Sequence, residues 1–486
     1  MSQSSSKGVD MASAVETLIR GVVSKAVAKI SVFNRGRMKA DKPNPYLTGI
    51  HAPMDAELTL DSLKVTGSIP SELDGRYIRN GPNQVAPENP AAYHWFLGDG
   101  MVHGVRLHGG KALWYRNRWI KSRKVTEALG LPDAPGPRNG AIDTVNTNVL
   151  GHAGETWAIV EAGGYPVRIN EELETIASDP FGGTLKNAFT AHPNLDHDSG
   201  EMHAITYNAD IADTIWHVVV DAKGKVRREE PIRVQDGPSI HGCMITKNHV
   251  IILDLPVTFS MKTFLAGHPF PYTWNPAHKA RIGLLPKEGR SDDVIWCDVA
   301  PCYVFHPCNA FEAEDGTVIM DVCAHDTMFA ESKIGPDSAR VPFERWTIDP
   351  AARSTARMVI DPDSQEFPRP NETRIGKPYR FAYTVSLPDG VASPNESKLF
   401  KHDLEAGVRQ VHDFGSGHIP GEFVFVPKQA AKAEDDGWLM GYVVNIAAQT
   451  TDLVILNAAN FEAAPQAIIH IPHRIPPGFH GNWVAA

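Results

Sequence analysis

The chain has 486 residues, an apolar fraction of 42% and a formal net charge of -10. That composition supports a packed core, and the acidic balance without a long basic run excludes a nucleic-acid protein, whose phosphate contacts need clustered Lys and Arg. Small-molecule chemistry remains, and 21 histidines supply many candidate ligands and proton carriers for it.

Near the N-terminus, Met11, Val15, Leu18, Ile19, Val22, Ala26 and Ile30 recur at helical spacing, with Glu16, Arg20, Lys25 and Lys29 between them and Arg35, Arg37 and Lys39 beyond. This pattern predicts a basic amphipathic helix within residues 1–40. Two readings stand: a segment packed on the main domain or partly disordered, and an anchor lying in a membrane interface. No window reaches the roughly 18 apolar residues of a membrane-spanning helix.

From residue 41 the texture changes. Turn signals such as Leu73-Asp74-Gly75, Glu314-Asp315-Gly316 and Pro388-Asp389-Gly390 separate short β-rich runs. Examples are WHVVVD (216–221), HVIILDLPV (249–257), TVIMDVCAH (317–325), GEFVFVP (421–427), LMGYVVNI (439–446) and TDLVILNA (451–458). Many short strands over more than 400 residues, with neither βαβ alternation nor a composition break, predict an all-β chain and a single β-propeller over 41–486. Blade number is not readable from the degenerate repeats. Cys243, Cys297, Cys302, Cys308 and Cys323 are odd in number, lack C-x-x-C spacing and follow no signal peptide. Free, mostly buried thiols in a reducing cytosol are expected.

Four histidines share one setting: His192 in FTAHPNLD, His241 in SIHGCMI, His306 in YVFHPCN and His480 in GFHGNW. Each follows an apolar or aromatic residue and precedes Pro or Gly, so each lies where a buried run stops and turns. Strand starts in a propeller converge on its axis, where four imidazoles from four blades could surround one metal. Taken singly, each reads equally well as a hydrogen-bonded core histidine. His480 adds a further oddity, because chain ends usually fray, while the tail carrying Phe479, His480, Trp483 and Val484 is apolar enough to be buried.

The order and spacing of several further segments narrow these readings. RYIRNGPNQ (76–84), YHWFLGDGMVHGVRL (93–107), ALWYRNRWIKS (112–122), ELETIASDPFGGT (172–184) and EFPR (366–369), together with the four histidine segments, closely resemble the carotenoid cleavage oxygenase family from about Asn44 to Val484. The resemblance implies a seven-bladed β-propeller with one Fe(II) per chain on its axis, held by His192, His241, His306 and His480. It also implies three supporting glutamates: Glu161 behind His241, Glu366 behind His306 and Glu422 behind His480. Thr147, in DTVNTNVLG, matches a position beside an open coordination site. Read without the family, each glutamate is a lone carboxylate near a strand and Thr147 an ordinary strand threonine.

The implied activity is oxidative cleavage of a conjugated double bond in a carotenoid or apocarotenoid by O2, giving two carbonyl products. Four neutral imidazoles suit an iron(II) dication and leave an octahedral ion two free positions, whereas zinc with the same ligands has no redox chemistry. Trp95, Phe96, Trp119, Phe305 and Phe479 are candidates for the aromatic walls of an apolar tunnel. Family members that cleave hydroxylated stilbenes carry a Tyr and a Lys that engage the phenol. Trp119 stands at the Tyr position here and GPRNGAIDTVN shows no evident Lys, with Lys121 and Lys124 nearby; stilbene or phenylpropene cleavage is the alternative. A propeller that only binds a partner would not be expected to keep every ligand and every supporting glutamate. No G-x-S-x-G or H-E-x-x-H supports a hydrolase. The expected location is cytoplasmic, with peripheral membrane contact and no nucleic-acid partner.

Overall fold

The structure, a computed structural model, describes residues 27–86, 89–140, 143–388 and 396–486. Strands dominate among them; residues 27–37, Arg123–Leu129 and Met261–Leu265 are helical, and a few single 3-10 turns complete the list of helices. The apolar runs read from the sequence are strands, including Thr214–Val220, His249–Asp254, Val318–Cys323, Gly437–Asn445 and Thr450–Asn457. Their composition tracks depth. Gly75–Pro82 and Gly437–Asn445 are buried along almost their whole length, whereas Lys111–Trp119 and Ser354–Asp361 alternate towards solvent. A strand covered on both faces can carry a near-continuous apolar run; one facing water on one side cannot.

Hydrogen bonding draws several separate sheets. Three have four strands in chain order, beginning at Asn148–His152, Asn194–Asp196 and Gln365–Pro370. A five-stranded sheet is built on Gly75–Pro82, Gly100–His108 and Lys111–Trp119, and a six-stranded one on Gly437–Asn445, Thr450–Asn457 and Ala467–Ile471. Two N- to C-terminal pairings clasp the ring. Gly481–Ala485 lies antiparallel to Gly75–Pro82, and Lys64–Gly67 lies antiparallel to Ala467–Ile471.

The all-β, propeller-like expectation holds, but seven blades do not appear as seven separate sheets. Five sheets read as single blades of four to six strands. The remaining strands form an eight-stranded sheet, with Val257–Phe259 and Tyr272–Trp274 pairing apart from it. Within this sheet the edges of Ile295–Asp298 and Ser354–Asp361 approach closely enough for a parallel pair, Asp298 with Ser354, since unpaired strand edges bond whatever backbone they meet.

The predicted N-terminal helix falls mostly on residues outside the described set. Its described end leaves Ile30, Val32 and Phe33 exposed and is tied to the body by Asn34 Nδ2 donating to Leu265 O at 2.7 Å and Arg35 Nε to Gly267 O at 3.0 Å. Among the described residues no helix is long and apolar enough to cross a membrane. The Glu314-Asp315-Gly316 signal is a turn, while Asp389 and Gly390 of Pro388-Asp389-Gly390 lie outside the described residues.

Candidate metal centre

Each of the four histidines stands immediately ahead of a strand at the edge of its sheet: His192 before Asn194–Asp196, His241 before Cys243–Ile245, His306 before Pro307–Glu312 and His480 before Gly481–Ala485. The Cys243 strand packs between the Asn194 and Pro307 strands. His480 arrives through the terminal clasp: its backbone N–H donates to Thr147 O at 3.1 Å, and Asn80 N–H donates to His480 O at 2.9 Å. The segment carrying Thr147 lies close because Gly100 lets it; a Cβ there would stand 1.9 Å from Val145 O. The result is convergence. One nitrogen from each ring lies within 4.8 Å of all the others, and the His192 ring centre is 4.4 Å from that of His241 and 4.5 Å from that of His480.

The outer ring nitrogens face carboxylates. His306 Nδ1 donates to Glu366 Oε2 at 2.6 Å and His480 Nδ1 to Glu422 Oε1 at 3.0 Å. His241 Nδ1 lies 2.9 Å from Glu161 Oε2, at ion-pair distance but without hydrogen-bond alignment, and Glu161 Oε1 accepts from Tyr207 Oη at 3.2 Å. Ala162 and Phe367, the residues directly after Glu161 and Glu366, both have φ in the left-handed region, +65° and +54°. Such backbone costs about 1–3 kcal/mol per residue and persists where the surroundings impose it.

Electrostatics keep these roles apart. Burial pushes the His306 imidazolium down to about 4 despite Glu366, and burial with the neighbouring imidazoles holds His192 well below its usual range. Burial would raise the Glu422 carboxyl, but the charge of Arg369 and then the His480 contact outweigh it, leaving about 2. Glu366 is likewise held low, against burial, by His306 and then His325. The His192 and His306 rings are therefore neutral and the Glu366 and Glu422 carboxylates charged. A carboxylate can only accept, so Nδ1–H of His306 and His480 points outward and their Nε2 lone pairs point inward.

That arrangement fits a cation. His241 Nε2 and His306 Nε2 lie 3.2 Å apart, a contact between two lone pairs when both Nδ1 atoms face carboxylates. His192 Nε2 is buried with no hydrogen-bond partner. Of Glu161, Glu366 and Glu422, only Glu422 meets a guanidinium, that of Arg369, which Glu372 also holds, so the cluster carries negative charge for a cation to balance. Neutral imidazoles backed by carboxylates are a usual ligand set for a divalent transition metal.

Two cavities meet at the cluster. One, of about 140 Å³, is walled by Trp95, Phe96, Phe270, Phe305 and Phe479, and includes Thr147, Glu161 and Glu366. Thr147 donates its hydroxyl to Asn146 Oδ1 at 2.9 Å, so its hydroxyl proton is not offered to the cavity. Trp119 is not in the lining; it packs with Met101 and Val125 and donates to Asn83 O at 3.1 Å. Lys124 pairs with Asp99 at 3.0 Å, and among the described residues no lysine lines this cavity.

Two residues were not singled out from sequence. His325 Nε2 donates to Glu366 Oε1 at 2.9 Å, so one carboxylate holds both His306 and His325. Arg369 reaches Glu422 at 3.3 Å, Asn482 Oδ1 at 2.7 Å and Glu372. His325 ends an apolar run as the four clustered histidines do, but Asp326 rather than Pro or Gly follows it.

A family model described as RPE65, retinal pigment epithelial membrane protein, matches residues 51–485. A carotenoid cleavage oxygenase of Mycobacterium tuberculosis is 41% identical, over 91% of this chain and 98% of that protein. The chain belongs to the RPE65/carotenoid cleavage oxygenase family. It is also 28% identical to a carotenoid 9,10(9',10')-cleavage dioxygenase of Arabidopsis thaliana, over 92% of this chain and 90% of that one. Among solved structures, cobalt-substituted apocarotenoid oxygenase of Synechocystis superposes with a TM-score of 0.79 at 26% identity, covering 89% of this chain and 97% of that one. The lignostilbene dioxygenase of Pseudomonas brassicacearum gives 0.82 at 24% identity, over 92% and 100%, and shares the fold.

Proposed function

We propose that this member of the family is a non-haem iron(II) dioxygenase that cleaves one conjugated double bond of a carotenoid or apocarotenoid, with both atoms of O2 ending in two carbonyl products. The observation that carries the reading is the set of inward imidazole lone pairs at the end of an aromatic cavity. His192, His241, His306 and His480 would hold one iron per chain, and bound iron(II) supplies the redox chemistry by which O2 reacts with an alkene. Glu161, Glu366 and Glu422 fix the tautomer and aim of three ligands. Thr147 shapes the wall, and the aromatic rings align a flat polyene while excluding water. At about 140 Å³ the cavity takes the reacting segment of an extended substrate, not its whole length.

We further propose seven blades. The eight-stranded sheet divides at the Asp298 to Ser354 pair into two four-stranded units, which join the five single-blade sheets. Residues 41–486 then form one catalytic domain, with 1–40 as an N-terminal segment. Exposed Ile30, Val32, Phe33 and Met261 support peripheral contact with a membrane, and five free buried cysteines support a reducing, cytoplasmic setting.

The test is anaerobic reconstitution with Fe(II), then aerobic assays on an apocarotenal and on 4-hydroxystilbene with products identified by mass spectrometry. Two aldehydes from the polyene, absent without iron or O2, are expected. The lining without lysine disfavours a phenol; cleavage of the stilbene alone would reverse the substrate assignment.

A further inference from the structure

The cavity on the opposite side of the histidine cluster has no part in the reading above. It has a volume of about 310 Å³ and runs past His192, Met202, Cys243, Glu372 and Asn482 to a mouth where His197 is exposed. Its lining is more polar than the aromatic cavity's, although Phe305 and Phe367 border both. His306 and His480 line both cavities, His241 lines only the aromatic one, and His192 lines only this one. His192 is also the ligand for which no contact to a carboxylate is described, and its Nε2 has no hydrogen-bond partner. His192 and His306 keep more surface than His241 and His480, and both face this cavity.

We infer that this axial cavity is the route by which the divalent cation enters the four-histidine centre, with His192 as its first internal ligand. The inference rests on the metal centre proposed above. In the aromatic cavity the carboxylates Glu161 and Glu366 already face His241 and His306, and a hydrated cation passing Trp95, Phe96, Phe270 and Phe479 meets no replacement donor on those walls. The axial route is lined by donors: the exposed imidazole of His197, the second carboxylate oxygen of Glu372, the amide oxygen of Asn194 and the imidazole of His192. Among the described residues Arg369 is the one guanidinium in the lining, and Glu372, Glu422 and Asn482 hold it. Its charge is thus offset where the cation passes. Entry and chemistry use different doors, so substrate need not leave the aromatic cavity for metal to be replaced.

The test reads metal binding, not turnover. Apo-protein is mixed with Co(II) without O2, and growth of the cobalt d–d absorption is followed by stopped flow. Leu150→Trp, which fills the axial cavity, is expected to slow uptake at least tenfold while reaching the parent's final absorbance. Leu97→Trp, in the aromatic cavity, is expected to stay within twofold of the parent. His197→Ala and Glu372→Gln each slow uptake severalfold. Slower uptake in Leu97→Trp with a normal rate in Leu150→Trp overturns the route. If Leu150→Trp misfolds and never develops the band, the two polar variants decide, and unchanged rates in both overturn the proposal. Parent protein that develops no cobalt band at all refutes the metal centre itself.

Discussion

Two groups of buried histidines in this molecule look alike in composition and differ in the direction of their hydrogen bonds. In the sheet beginning at Asn194, His203 Nδ1 lies 3.1 Å from His217 Nε2, and Arg228 Nε donates to His217 Nδ1 at 3.3 Å. The guanidinium can only donate, so His217 carries its proton on Nε2 and passes a hydrogen bond to His203. That chain is complete. At the axis, His241 and His306 also bring nitrogens to 3.2 Å, but their outer nitrogens face glutamates, and with both Nδ1 atoms protonated the inner contact has no proton to share. The core pair satisfies its neighbours; the axial histidines, which we propose as metal ligands, include His192, whose Nε2 is buried without a partner.

The hardest test of the contrast is deletion. His241→Ala or His480→Ala is expected to abolish iron binding and cleavage while leaving a folded, β-rich protein, read by metal analysis, assay and circular dichroism. His217→Phe should do the opposite, keeping metal content while lowering stability in urea by about 1–3 kcal/mol, because His203 and Arg228 lose a buried partner. Full activity in the first pair would dissolve the distinction.

The glutamates sharpen it. Glu366→Gln is expected to cost about 10 to 100-fold in iron affinity or cleavage rate, and more than Glu161→Gln. An amide presents one acceptor oxygen where Glu366 accepts from two histidines, so one ring nitrogen meets a donor. Equal losses in the two variants would remove His325 from the account.

Acid separates the groups in another way. Burial lowers His203 from 6.5 to about 4, so between those values the unfolded chain binds the proton more readily. Stability contributed by neutral His203 is complete above about pH 6.5 and falls as pH drops towards 4, by up to about 3 kcal/mol. His203→Phe should flatten urea stability across that window without changing metal content at pH 7.5. The smallest effect belongs to Thr147→Val, which deletes one buried hydrogen bond worth about 1 kcal/mol and should leave metal affinity within about fivefold. A larger loss would give the Thr147 hydroxyl a role at the metal.

Strands were legible because buried β-runs are continuous in sequence: HVIILD and LMGYVVN announce strands, and strands they are. The histidines at 192, 241, 306 and 480 were legible because an apolar run ending at Pro or Gly marks where a strand begins at the axis. The resemblance then supplied their partners. Local pattern did not show that the strands ending at Asp298 and beginning at Ser354 would pair within one eight-stranded sheet, because edge pairing depends on how neighbouring strands tilt.

The sequence by itself determined the all-β class, the family and the set of imidazoles available for a metal. Only the tertiary structure decided which of them turn their lone pairs inward, since the acceptors Glu366 and Glu422 stand 60 and 58 positions from the rings they orient. It also decided that His325 shares Glu366 and that Trp119 lies outside the cavity. Hydrogen-bond direction is a property of groups brought together from distant strands, and no local run of residues encodes it.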